Sequence, residues 1–135
     1  MAPTIPPGSE VIGDMSTYSS RAPQRWDVAL FDPPPFAGKG QIWGMRVIGL
    51  PGEQVSFGPS GSLIINGQPL KPPTELSGIH WQRRTTEPNP VPIPHPHTIP
   101  PDSYYVLGDN PPRANDSRFW GAVPRENILG KVIAK

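Results

Sequence analysis

The chain has 135 residues, a formal net charge of +1, no cysteine, 22 prolines and 14 glycines. That length fits a single domain, 1–135, with one modest core. Basic residues scattered at near-zero net charge give no footprint for nucleic acid, and the missing cysteines exclude disulfides, thiolate metal sites and a Cys nucleophile. There is no 18-residue apolar run, and the opening "MAPTIPPGSE" has neither the basic nor the apolar region of a secretory signal, so the chain as given is expected to be soluble.

Proline leaves 8–22 and 36–50 as the longest uninterrupted stretches, room for short helices only. An all-β, loop-rich fold follows. In chain order, strands are expected at 25–31, 41–50, 54–57, 62–66, 103–107 and 128–134, each rich in Val, Ile, Leu or aromatics and bounded by turn residues. The second contains "GMRVIGLPGE", where Met45 would fill a core and Arg46 would pair with a carboxylate or guard a sheet edge. Asn66 and Gly67 supply the positive φ values of a tight hairpin between "SLII" and "QPL". Beyond it, "TEPNPVPIPHPHTIPP", 86–101, has Pro at every second position from 88 to 96 and reads as an extended surface excursion. His95 and His97 within it are two apart with no further ligand type beside them, and are expected as solvated loop histidines rather than a metal pair. No metal or other cofactor is expected.

The segment "YYVLGDNPPRANDSRFWGAVP", 104–124, ends a strand at Leu107 in a Gly-Asp-Asn turn. A polar loop then delivers Asp116, Ser117 and Arg118, of which Asp116 and Arg118 are expected to brace the loop as an ion pair.

Here the sequence resembles a known family. "GDN", "DSRFWG" and "VP" resemble the last motif of the type I signal peptidases, which use a serine/lysine dyad, and "MRVIGLPGE" with "INGQPL" resembles the motif before it. "PQRWDVALF" is similar to the family's Arg-Gly-Asp-Val-Val strand, with Trp26 in place of Gly. "MAPTI", with Gly13 and Asp14 after it, is similar to the residues just past the nucleophile in the Ser-Met-x-Pro-Thr motif. The four matches run in order along the whole chain.

The resemblance implies coiled antiparallel β-sheets, little helix, and an endopeptidase that cuts signal peptides from exported preproteins after Ala-x-Ala. In that chemistry a hydroxyl attacks the peptide carbonyl and a buried neutral lysine removes its proton. The nucleophile and a membrane anchor would precede Met1, and Met45 stands at the lysine position. Ala114 stands where the family has a Ser that hydrogen-bonds the lysine. Arg46, Asp109, Asp116, Ser117 and Arg118 would support the site. Ile42, Trp43 and Gly44 would form one wall of a substrate groove, with Met1, Ala2 and Pro3 as the other. No other amine or imidazole replaces the base: Lys39, Lys71, Lys131 and Lys135 are expected as surface charges, and His80 falls outside the motifs. The intact protein would work at the outer face of a bacterial cytoplasmic membrane, with Trp26, Phe36 and Trp43 as interface contacts. Three readings stay open: a peptidase domain altered at its base, an inactive relative that binds peptides, and a structural β domain.

Overall fold

In a computed structural model, the described residues are 12–34, 41–58, 62–76, 79, 81, 95–109 and 115–134. Among them, short strands alternate with turns: β1 (Ile12–Asp14), β2 (Val28–Phe31), β3 (Trp43–Gly49), β4 (Gln54–Phe57), β5 (Leu63–Ile65), β6 (Gln68–Leu70), β7 (His97–Thr98), β8 (Ser103–Leu107), β9 (Val123–Pro124) and β10 (Ile128–Ala134). Two four-residue helices, α1 (Thr17–Ser20) and α2 (Ser117–Trp120), and two 3-10 turns complete the described elements. Every pairing is antiparallel, in a six-stranded sheet ordered β1-β10-β2-β3-β8-β9 and a four-stranded sheet ordered β6-β5-β4-β7.

The period-2 alternation of the strands gives the larger sheet two buried faces. One carries Ala29, Phe31, Val47, Tyr104 and Val106, closed over by Tyr18, Val123 and Ile128. The other carries Ile48, Tyr105 and Leu107, packed on Val55, Leu63 and Ile65 of the smaller sheet together with Trp81 and Ile99. Side chains of this size, fully buried, each contribute about 1.5–3 kcal/mol.

A bulge in β3 sets how the two sheets meet. The β3–β8 register shifts between Val47 and Gly49, which faces Tyr105. A Cβ at Gly49 would lie 2.4 Å from Ile99 Cδ1 and 3.0 Å from both Tyr105 Cβ and Val55 Cγ2, so only glycine lets the sheets approach this closely. The Asn66–Gly67 turn has φ values of +53° and +80°, as the expected hairpin requires.

Three expectations change. The first strand begins at Val28 rather than at residue 25, because Trp26 has φ +76° and breaks the extended run. β1 and β9 are added, three- and two-residue edges too short to leave a pattern in the sequence. The return of the proline-rich segment is docked, not projecting: His97 pairs with Val55, Thr98 pairs with Gln54, and Ile99 is only 1% exposed. Residues 86–94 lie outside the described part.

Candidate active site

β3 is paired over Trp43–Arg46 with β2, which sets Val28 opposite Arg46, Ala29 opposite Met45, Leu30 opposite Gly44 and Phe31 opposite Trp43. On its other edge the pairing with β8 starts only at Arg46, opposite Leu107. Among the described residues, Trp43–Met45 therefore present an edge with no strand beside it. Met45 and Trp43 point to the first core and pack on it partly buried. Trp120 sits at the mouth of that core, its ring 6.4 Å from Trp43 and 6.1 Å from Phe31. Ile42, just ahead of the strand, is 54% exposed.

Arg46 faces the opposite way. Its guanidinium grips Asp109 through two hydrogen bonds, Nε to Oδ1 at 3.0 Å and Nη2 to Oδ2 at 2.7 Å, and donates a third from Nη1 to the Trp26 carbonyl at 2.9 Å. Asp109 is 1% exposed, so the pair fixes the end of β8 to the start of β2 from within. Trp81 Nε1 donates to the Gly108 carbonyl at 2.7 Å and closes the same corner.

The loop after β8 is held by Asp116, which caps α2. Its oxygens accept from the Arg118 amide at 3.1 Å, Arg118 Nε at 2.8 Å, Arg118 Nη2 at 2.9 Å and the Gly108 amide at 3.1 Å. Asp116, Ser117 and Arg118 are all 0% exposed. Ser117 Oγ accepts from the Val106 amide at 2.9 Å, which stitches α2 to β8 in place of another strand. The pairing of Asp116 with Arg118 expected from their spacing is present, in a fully dry setting.

Met1, Ala2, Pro3, Ala114, Phe36, Lys39, His80 and Lys135 lie outside the described residues. Lys131, expected as a solvated charge, has its Nζ 3.6 Å from Asp27 Oδ1. Asp27 also takes hydrogen bonds from Tyr18 Oη at 2.9 Å and Arg21 Nη1 at 3.2 Å. Burial and that carboxylate push the Tyr18 phenol well above its ordinary value. Trp26 and Trp43, expected as interface aromatics, are half-buried against the second and first cores respectively.

Glu53 and Arg25 each stand within a sequence motif, but nothing in the sequence joins them. They form a two-point ion pair, both contacts at 2.8 Å, and Glu53 Oε1 also accepts the Leu50 amide at 2.7 Å. Burial pushes the Glu53 carboxyl up, but the hydrogen bonds from Arg25 and Leu50 outweigh it and hold it below its usual range. The missed signal is the acid that closes the Gly-Leu-Pro-Gly turn, which needs a cation brought from 28 residues away.

Among the described residues no cluster of three or more His, Cys, Asp or Glu is placed to hold a metal ion, and no helix is long and apolar enough to cross a membrane. An all-β scaffold with a strand edge that no described strand covers, beside an internally braced loop, defines the kind of domain. The sequence matches the family described as "Signal peptidase, peptidase S26" over residues 1–135, and the chain belongs to that family. It is 34% identical to the signal peptidase I of Leptolyngbya laminosa over 140 residues, with 100% of this chain and 63% of that protein aligned. It is 30% identical to a probable signal peptidase I of a Synechocystis species, covering 98% of this chain and 64% of the relative. The chain thus spans somewhat under two thirds of the length of these relatives. A crystal structure of a signal peptidase I from Enterococcus faecalis superposes with a TM-score of 0.60 at 34% identity, covering 82% of this chain and 97% of that one.

Proposed function

We propose that this chain is the peptide-binding part of a signal peptidase-type protein in which position 45 carries no general base. The observation that supports this is the edge at Trp43–Met45, which among the described residues has no strand beside it, with the Met45 side chain turned into an apolar core. An extended peptide could add there as a strand, its main chain bonded to β3 and its small alternate side chains resting on apolar surface. Small residues at the first and third positions before a cut fit such an edge, and signal peptides of exported preproteins are the substrate class this implies. In the intact protein the edge would face substrates at the outer side of a bacterial membrane, reached through an anchor ahead of Met1.

Met45 has the length and apolar packing of a buried lysine but no proton acceptor. Asp109, Asp116, Ser117, Arg118 and Arg46 serve this site as scaffold, since each is committed to an internal partner. The deciding experiment compares three proteins on an Ala-x-Ala peptide. The chain as given should bind weakly, read as shifts of the 43–45 amides by NMR, and cut nothing. A longer form with Ser before Met1 should also cut nothing. That form carrying Met45→Lys and Ala114→Ser should cleave, with a rate that rises as the lysine deprotonates. Cleavage by the unmodified chain would refute the absence of a base. No binding and no cleavage by any of the three would favour a purely structural domain.

A further inference from the structure

The face of the larger sheet turned away from Met45 carries a cluster that the peptide edge does not use. β7 is two residues long, yet it brings the end of the proline-rich segment onto β4. His95, His97 and Tyr105 form a near-equilateral triangle of rings, with centroids 6.2, 6.0 and 5.9 Å apart, and Phe57 meets His95 edge-on at 5.3 Å. His95 Nε2 and the Tyr105 hydroxyl are 2.8 Å apart. His97 Nε2 is sealed from solvent and has no hydrogen-bond partner. Tyr105 is fully buried.

We propose that this histidine–tyrosine cluster is an acid-sensitive clasp, which fastens the return of the proline-rich segment to the smaller sheet at neutral pH and releases it when the imidazoles take up protons.

A protonated imidazole donates from both ring nitrogens. His97 Nε2 has nothing among the described residues to donate to, and a proton there would sit unpaired on a nitrogen shut off from water in a half-buried ring, a costly state. Among the described residues, the groups that face it offer no counter-charge. From β8 comes Tyr105, whose phenol burial holds far above its ordinary value and so keeps neutral; behind it Asp116 and Arg118 neutralise each other. From β4 come Val55 and Gln54, both uncharged, and the neighbouring Glu53 is committed to Arg25. The second imidazole, 6.2 Å away on the same strap, would add repulsion if charged. Burial already lowers the proton affinity of His97 below that of a free imidazole. Proton uptake therefore favours lifting of the strap, which among the described residues is otherwise held by the β7 pairing, the buried Ile99 side chain, the Ile99 amide on the Glu53 carbonyl at 2.8 Å and the Gly52 amide on the Ile99 carbonyl at 3.1 Å.

The size of the effect comes from linkage. If the closed strap binds no proton and the open one titrates at about 6.5, lowering the pH from 7.5 to 5.5 raises the opening constant about tenfold for each histidine involved. This clasp stands apart from the peptidase reading and survives its failure.

The test is hydrogen exchange of the unmodified protein at the two pH values, corrected for intrinsic rates. The Ile99 and Gly52 amides should lose about tenfold or more protection at pH 5.5, while the Val106 amide, bonded to Ser117 Oγ, should not. Equal protection at both pH values, or a loss shared equally by Val106, overturns the clasp. The variant His97→Phe should abolish the difference, and a difference that persists in a folded variant overturns the role of His97. Should that variant fail to fold by circular dichroism, the ring resonances of the unmodified protein decide. A His97 midpoint below that of a free imidazole that coincides with amide opening supports the clasp; titration as a free imidazole with the amides still protected overturns it.

Discussion

Met45 and Arg46 are neighbours on β3 and face opposite sides of one sheet, and the two sides handle polarity in opposite ways. On the Arg46 side, charge is taken out of water and fully matched. Arg46 meets Asp109, and at the next turn Asp116 meets Arg118, with every carboxylate oxygen accepting from a named donor. On the Met45 side, the side chain is apolar, and it packs on a core that includes Ala29, Phe31 and Val47. The difference is energetic. Deleting one member of a buried ion pair strands the other, at a cost of about 3–5 kcal/mol, whereas a thioether packed on an apolar core needs no partner and strands nothing. The apolar side makes no demand for a partner, and the braced side cannot lose one.

The largest effect should therefore come from the braced side. Asp116→Ala leaves the fully buried Arg118 guanidinium without its carboxylate and uncaps α2 at the same time. We expect a loss of about 3–5 kcal/mol in urea unfolding, enough to unfold a marginal domain. A change under about 1 kcal/mol would mean that water reaches the loop and that the brace is not dry.

Met45→Lys probes the other side with a smaller expected effect. The amine would be partly desolvated on the first core, so its folded pKa would fall below that of a free lysine. The unfolded chain would then bind more protons than the folded one between the two values. Stability of the variant should be lower than that of the parent by about 1–3 kcal/mol at pH 7 and should recover as the pH approaches 10. The readout is the difference in urea midpoints between variant and parent at the two pH values. A variant with no pH-dependent recovery would place position 45 in water and remove the apolar half of the comparison.

Much of the architecture was legible because it rests on local chemistry. The strands at 54–57, 103–107 and 128–134 were bounded by turn residues and appear with those bounds, and the Asn66–Gly67 hairpin was dictated by backbone sterics. The Asp116–Arg118 pair was readable because its members are two residues apart. The illegible part is long-range. Arg46 and Asp109 each stand out in the sequence, yet only the β3–β8 register brings them together across 63 residues. The alternation that sends Met45 and Arg46 to different faces has meaning only once both faces are known to be buried. The docking of His97 was hidden for the opposite reason: alternating prolines argue against strand structure, and two residues of pairing suffice here because Ile99 anchors the segment in the second core.

The smallest expected effect tests whether the partly exposed pair near the turn of β3 behaves like the dry ones. Arg25 and Glu53 have side chains 23% and 16% exposed, and the pair adds the Leu50 amide to make a three-point clip on the Leu-Pro-Gly turn. The Glu53 carboxyl is held below its usual range, so the folded protein releases this proton at a lower pH than the unfolded chain does. The stabilisation is then complete above the unfolded carboxylate value of about 4.3 and disappears as the pH falls through the lower folded value. Solvent at the rim screens the pair, which limits the gain to about 1 kcal/mol. Glu53→Gln keeps an acceptor for the Leu50 amide while removing the charge, so it should lower stability at pH 7 by that amount and be indistinguishable from the parent well below pH 4. A loss at pH 7 as large as that of Asp116→Ala would show that the turn is braced from within, and the contrast between dry and wet pairs would have to be redrawn around Glu53.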